Sequence, residues 1–248
     1  MKNDIGINNR MRCEKLGSGK KRRKHKQKMN RDIKKSKGKL VRFDLQNSSR
    51  KYPGFSNKYC YGTNIHNLIY KDGFFKNVRF QASNITNCNL KNTVLKNVDF
   101  CNSNLKGTSF KGATLSNVMF INCKLKDADF DNVTFNNVFF IMTNTQVARN
   151  LVIQEGNRIM TKYPSNLACD SNGMEALMQL GKCDDIYKYH VLHISPTKIN
   201  NWIVDMLFSK YGNNVNRAMV ALLKRKNKRL FITVGNYMDF IESYLKIC

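Results

Sequence analysis

From Ile65 to Phe140 an apolar residue stands at every fifth position without a break. The centres are Ile65, Tyr70, Phe75, Phe80, Ile85, Leu90, Leu95, Phe100, Leu105, Phe110, Leu115, Phe120, Leu125, Phe130, Phe135 and Phe140. In a chain that is 42% hydrophobic, chance would produce such a run about once in a million trials. Two residues ahead of each centre runs a second column of small or β-branched side chains, from Thr63, Gly73, Val78, Ser83 and Cys88 on to Val138, broken only by Leu68. Two residues behind lie turn formers: Asn67, Asn77, Asn87, Asn92, Asn97, Asn102, Asn117, Asn122, Asn132 and Asn137, with Gly107 and Gly112. A helix would rotate every fifth side chain by about 140° and scatter the centres around its surface. A flat strand would send successive centres to opposite faces. The chain must therefore turn at each repeat, and Asn and Gly tolerate the tight, left-handed backbone that such a turn needs. No proline falls inside the stretch; Pro53 and Pro164 stand outside it. That suits a backbone donating hydrogen bonds to coils above and below, and all the centres are expected to be buried.

The tripeptides Thr63-Asn64-Ile65, Ser83-Asn84-Ile85, Cys88-Asn89-Leu90, Ser103-Asn104-Leu105 and Ala128-Asp129-Phe130 resemble those of the pentapeptide-repeat family. The resemblance implies a right-handed quadrilateral β-helix with four repeats per coil, hence about four coils between Thr63 and Met142, stacked at ~4.8 Å. Tyr52, Phe55, Tyr59 and Tyr61 are expected to cap its open end. With twenty residues per coil, Lys71, Lys91 and Lys111 share one face, and neighbouring faces carry Lys76 with Lys96 and Lys106 with Lys126. The remaining face carries Cys101, Met119, Ile121, Phe139 and Ile141 and no lysine. Exposed apolar side chains stacked in this way mark a docking surface. Met119, Ile121, Phe139 and Ile141 are thus the candidate interaction face, serving either the rest of the chain or a second copy in a homodimer.

After Phe140 the pattern changes. Ser195-Pro196 reads as a cap followed by proline at a first helical position, after which Ile199, Trp202, Ile203, Met206, Leu207 and Tyr211 keep helical spacing up to Gly212. Val215, Ala218, Met219, Leu222 and Leu223 outline a second helix, and Tyr237, Phe240, Ile241, Tyr244 and Leu245 a third, entered at Gly235-Asn236. The expected organisation is a basic, disordered arm over 1–50, the repeat prism with its cap over 51–147, a linker over 148–164, and a small α-helical domain over 165–248.

Charge changes the picture from shape to partner. Lys and Arg total 43 against 17 Asp and Glu, a net +26, and residues 1–62 hold 20 of the bases and 4 of the acids. The densest run comprises Lys20, Lys21, Arg22, Arg23, Lys24, Lys26 and Lys28, followed by Arg31, Lys34 and Lys35. Lacking apolar periodicity and repelling itself, this arm is expected to be disordered and to neutralise phosphates of nucleic acid or a ribonucleoprotein without sequence selectivity. A solubilising tail on a protein–protein scaffold is the alternative. A second basic run, Lys224, Arg225, Lys226, Lys228 and Arg229, follows the second helix, where it could touch phosphates or simply complement the helix dipole.

Catalytic patterns are lacking. The interior columns hold no His, Asp, Glu or Lys, none of the eight cysteines forms a Cys-x-x-Cys pair, and there is no Gly-rich phosphate loop. His190-Val191-Leu192-His193 matches no zinc spacing. The sequence therefore suggests a non-enzymatic binding protein with no cofactor and no metal. With neither apolar leader nor long apolar run, it is expected to be cytoplasmic and to bind no membrane. A narrower resemblance is to the quinolone-resistance pentapeptide proteins, which protect DNA gyrase and topoisomerase IV and whose acidic β-helices look like duplex DNA. It implies a topoisomerase partner, but this prism is shorter and its charge has the opposite sign, which favours binding DNA over imitating it.

Overall fold

The computed structural model describes residues 44–164 and 166–246. The repeats form a parallel-strand solenoid of about five turns, followed by a helical region. Its strands are β1 (Asp44–Gln46), β2 (Gly54–Tyr61), β3 (Asn64–His66), β4 (Phe74–Gln81), β5 (Asn84–Thr86), β6 (Val94–Cys101), β7 (Thr114–Ile121), β8 (Thr134–Ile141) and β9 (Arg158–Met160). One sheet runs β2-β4-β6-β7-β8-β9 and a second runs β1-β3-β5. The register is set by the repeat: Phe75 pairs with Leu95, Leu95 with Leu115 and Leu115 with Phe135, one coil apart each time. Isolated bridges such as Asn89–Ser109 and Ser109–Asp129 continue the pairing where strands are too short to count.

Every centre and every member of the preceding small-residue column is buried. Phe80 stacks on Phe100, Phe100 on Phe120 and Phe120 on Phe140 at ring-centroid spacings of 5.4, 5.3 and 4.9 Å. The corners follow the turn column. Asn67, Asn77, Asn87, Asn92, Asn97, Asn102, Asn117, Asn122, Asn132 and Asn137 all have positive φ, as do Gly107 and Gly112. So do Asp72, Ala82, Asp127 and Met142, which occupy the same column. The asparagines also bond to one another: along one corner Asn77 donates to Asn57, Asn97 to Asn77, Asn117 to Asn97 and Asn137 to Asn117. Each amide thereby gives the coil below a partner that water would otherwise supply.

The solenoid extends further than the repeat count. Asp44–Gln46 pairs with Asn64–His66, and Tyr52, expected as a cap, is itself the centre of an earlier coil, its ring 5.6 Å from that of Tyr70. Counting back by fives from Ile65 lands on Arg50 instead, because the chain slips two residues out of phase: Lys51 pairs with Ile69, whereas Gly54 pairs with Phe74. At the other end, the stretch expected as a linker closes the last coil. Ala148, Leu151 and Ile153 pack on the core, Gln154 and Asn157 side chains accept from Phe135 N–H and Val138 N–H, and β9 extends the sheet.

The helical region comprises α1 (Ser171–Leu180), α2 (Asp184–Tyr187), a hairpin of β10 (His193–Ser195) and β11 (Lys198–Ile199), then α3 (Asn201–Tyr211), α4 (Asn214–Lys224) and α5 (Val234–Leu245). Pro196 lies in the hairpin turn and not at a helix start, so α3 begins at Asn201. A proline with fixed φ serves a turn between antiparallel strands as readily as a first helical turn. Asp170 caps α1 through Gly173 N–H at 2.7 Å. Gly173 lets α1 touch α4, since a Cβ there would lie 2.1 Å from Asn216 Oδ1.

Candidate interaction surfaces

The solenoid face expected to be apolar meets the helices. Met119, Ile121, Phe139 and Ile141 lie in one apolar cluster with Leu177, Trp202, Met206, Met219 and Tyr237. Met119 and Ile141 are fully buried. A two-fold contact through these four residues would have to displace the chain's own helices.

Two charged residues missed by the apolar pattern share this face. Arg79 and Asp99 are register partners on β4 and β6, and both are buried. Arg79 Nη1 donates to Asp99 Oδ2 at 2.6 Å and Nη2 donates to the His190 carbonyl at 2.8 Å. The same Asp99 oxygen accepts from Val234 N–H at 2.9 Å, placing a carboxylate at the start of α5, where the helix dipole favours it. Burial pushes the Asp99 carboxyl up, while the Arg79 charge and the Val234 N–H pull it back. Thr233 and Asn236 complete a capping box on the same helix end.

Helix α5 then crosses the asparagine corner. Asn236 donates to Asn77 at 2.9 Å, Asn97 donates to Asp239 at 2.6 Å, and Asn137 reaches Met238. Contact is close enough that a Cβ on Gly235 would lie 2.5 Å from Asn97 Cγ. This polar seam joins solenoid and helices by direct side-chain bonds across several coils.

The remaining faces are basic. Lys71, Lys76, Lys96, Lys106, Lys111, Lys124 and Lys126 are exposed and Lys91 is half-exposed. Lys111 pairs with Asp131 at 2.6 Å, which ends that lysine column at the last coil. Of the candidate arm residues, Lys20, Lys21, Arg22, Arg23, Lys24, Lys26, Lys28, Arg31, Lys34 and Lys35 lie outside the described residues. The first described strand of the solenoid begins at Asp44. A further cluster lies on the helical region: Lys224, Arg225, Lys226 and Arg229 are exposed and Lys228 is half-buried.

His193 is buried, with Nε2 2.8 Å from the Leu177 carbonyl, and burial lowers its pKa. That is a structural bond between hairpin and α1. Among the described residues no group of His, Cys, Asp and Glu is arranged to hold a metal ion, and no helix is long and apolar enough to cross a membrane.

A family profile for pentapeptide repeats matches residues 75–112 and 102–137, with eight copies. No curated protein matches the chain by sequence. Among solved structures it is similar to QnrB1, a plasmid-mediated fluoroquinolone resistance protein, at 13% identity and TM-score 0.27, over 48% of this chain and 81% of that one. It is also similar to Rfr23, a pentapeptide repeat protein from the cyanobacterium Cyanothece 51142, at 12% identity and TM-score 0.16, over 49% and 97% of the two chains. A third is HetL, a pentapeptide repeat protein involved in heterocyst differentiation regulation from Nostoc sp. strain PCC 7120, at 10% identity and TM-score 0.15, over 60% and 96%.

Proposed function

We propose that this chain, whose residues 75–137 are pentapeptide repeats, is a non-catalytic scaffold that binds nucleic acid, or a complex containing it, through phosphate contacts. The reading rests on one observation: a net charge of +26 in which 20 of the 43 bases precede residue 63. Lysines exposed on three solenoid faces support it, as does a helical region that covers the one face without them. Lysine and arginine that replace condensed counterions gain affinity by releasing those ions, with little dependence on base sequence.

The test is a titration of duplex and single-stranded DNA and RNA against intact protein and protein lacking residues 1–43, across a series of salt concentrations. Intact protein should bind each nucleic acid, with affinity falling steeply and log-linearly as salt rises. Truncation should remove most of the binding. Failure of intact protein to bind any of them at low salt would overturn the reading in favour of a protein–protein scaffold with a solubilising tail.

A further inference from the structure

We infer that the loop at the end of α4, residues 224–229, is a second phosphate-contacting site for nucleic acid. The inference rests on the nucleic-acid reading above and assigns part of that binding to residues of the folded body.

Five of the six residues from Lys224 to Arg229 are cations, and none of the five makes an ion pair among the described residues. The loop is held in shape from below: the Arg225 guanidinium lies 5.7 Å from the Phe240 ring centroid and 6.0 Å from that of Phe231. An anchored arginine leaves its neighbours, Lys224, Lys226 and Arg229, free to face a partner. Folding alone does not explain five such charges. The dipole of α4 is served by its last turn, where Lys224 sits, and the effect fades within one turn.

Position supplies the second line of reasoning. Lys228 and Arg229 lie close enough to Asp185 to add to the pull by which Lys188, its hydrogen-bond partner, holds that carboxyl below the usual range. Lys188 Nζ lies 5.1 Å from the Tyr189 ring centroid, and Tyr189 packs edge-on against Tyr59 at 5.8 Å. Tyr59 belongs to β2 in the first coil, next to exposed Lys58. The first described strand, β1, belongs to this same coil. Residues 1–43, which precede that strand in the sequence, carry 17 bases and 3 acids. A run of contacts thus leads from the loop through Asp185, Lys188 and Tyr189 to the first described coil of the solenoid. A phosphate backbone is a partner that rewards many spaced, weakly oriented cations.

The experiment compares full-length proteins by fluorescence anisotropy on a short labelled duplex and the matching single strand over a salt series. The loop variant carries Lys224→Gln, Lys226→Gln and Arg229→Gln; the arm variant carries Lys20→Gln, Lys21→Gln, Arg22→Gln and Arg23→Gln. Each lost phosphate contact lowers the salt slope by about 0.9 on duplex. The loop variant should therefore lose about 2 to 3 units of slope and roughly tenfold or more in affinity near 0.1 M salt, with an unchanged melting temperature. Lys226→Glu, a single exposed change, repeats the measurement should the triple variant fold poorly, and should weaken binding in the same direction. Unchanged slope and affinity in the loop variants, alongside lost binding in the arm variant, would overturn this inference and leave the proposed function standing. No binding by the wild-type protein would overturn both. Polyglutamate binding as tight as that of the duplex, and equally weakened by the loop changes, would assign the loop to an acidic protein and overturn the nucleic-acid assignment.

Discussion

At the scale of single residues, the turn column shows how strictly the backbone governs side-chain choice. Ala82 and Met142 hold φ of 50° and 49° in positions that Asn fills elsewhere. For a residue other than Gly or Asn, left-handed backbone costs roughly 1–2 kcal/mol. Ala82 is exposed and sits one coil before Asn102, so Ala82→Asn relieves that strain and offers Asn102 a partner. It should raise stability by about 1 kcal/mol, read as a higher denaturation midpoint in urea. Arg79 is the opposite case. Arg79→Met leaves Asp99 buried without its counter-charge and should cost about 3–5 kcal/mol, much of it recovered when Asp99→Asn is added, since the amide oxygen still accepts from Val234 N–H. A double-mutant cycle by chemical denaturation measures this; additive losses would mean that the two groups are not coupled. The pair was hidden in the sequence for a physical reason. Residues twenty apart are neighbours once the coil length is known, but an outward Arg and Asp look like solvated surface until something is known to cover them.

At the scale of elements, the sequence disclosed the solenoid because each repeat must bury one large side chain, and a five-residue period has few structural solutions. The solenoid should therefore respond to core truncation as one cooperative unit. Phe110 is fully buried between Phe100, Phe120 and Phe130, so Phe110→Ala should cost about 3–5 kcal/mol and lower the thermal midpoint of the β signal in circular dichroism. A loss below 1 kcal/mol would mean that the stacked rings are not held together as described. Legibility failed where the element broke period. The first coil was hidden by a two-residue slip around Tyr52, and Pro196 was ambiguous because one fixed φ suits a helix start and a hairpin turn alike. Helix α1 went unmarked although Asp170 caps it and Ala176, Leu177 and Leu180 form its buried stripe. Of the interaction surfaces, the apolar face was legible as a column without lysine. The asparagine seam was not, because those residues were already accounted for as turn formers.

At the scale of the whole molecule, both apolar clusters enclose groups that must stay neutral. Burial pushes the thiols of Cys60 and Cys101 up to about 12 from the ordinary 9.0, and the Tyr59 hydroxyl to about 12 from 10.0. The sign follows from linkage: in the unfolded chain these groups release protons first, so the stability they contribute is complete below about pH 9 and is lost as pH rises toward 12. Urea midpoints should fall from pH 9 upward, and Cys60→Ala with Cys101→Ala should flatten that fall; an unchanged slope would place the alkaline sensitivity elsewhere. Helix α5 has a consequence of another kind. It is fastened at one end to Asp99 and Asn77 and farther along to Asn97 and Asn137, which belong to different coils of a stack that otherwise repeats indefinitely. A solenoid can in principle grow or shrink by whole coils, because each added coil presents the same edges as the last. Here a coil inserted after Asn102 would carry Asn137 about 4.8 Å farther from Asn97 along the stack, out of reach of the neighbouring Met238 and Asp239 side chains that now touch the two. The helix works as a calliper: side chains of its first two turns span the stack and hold the number of coils between Asn77 and Asn137.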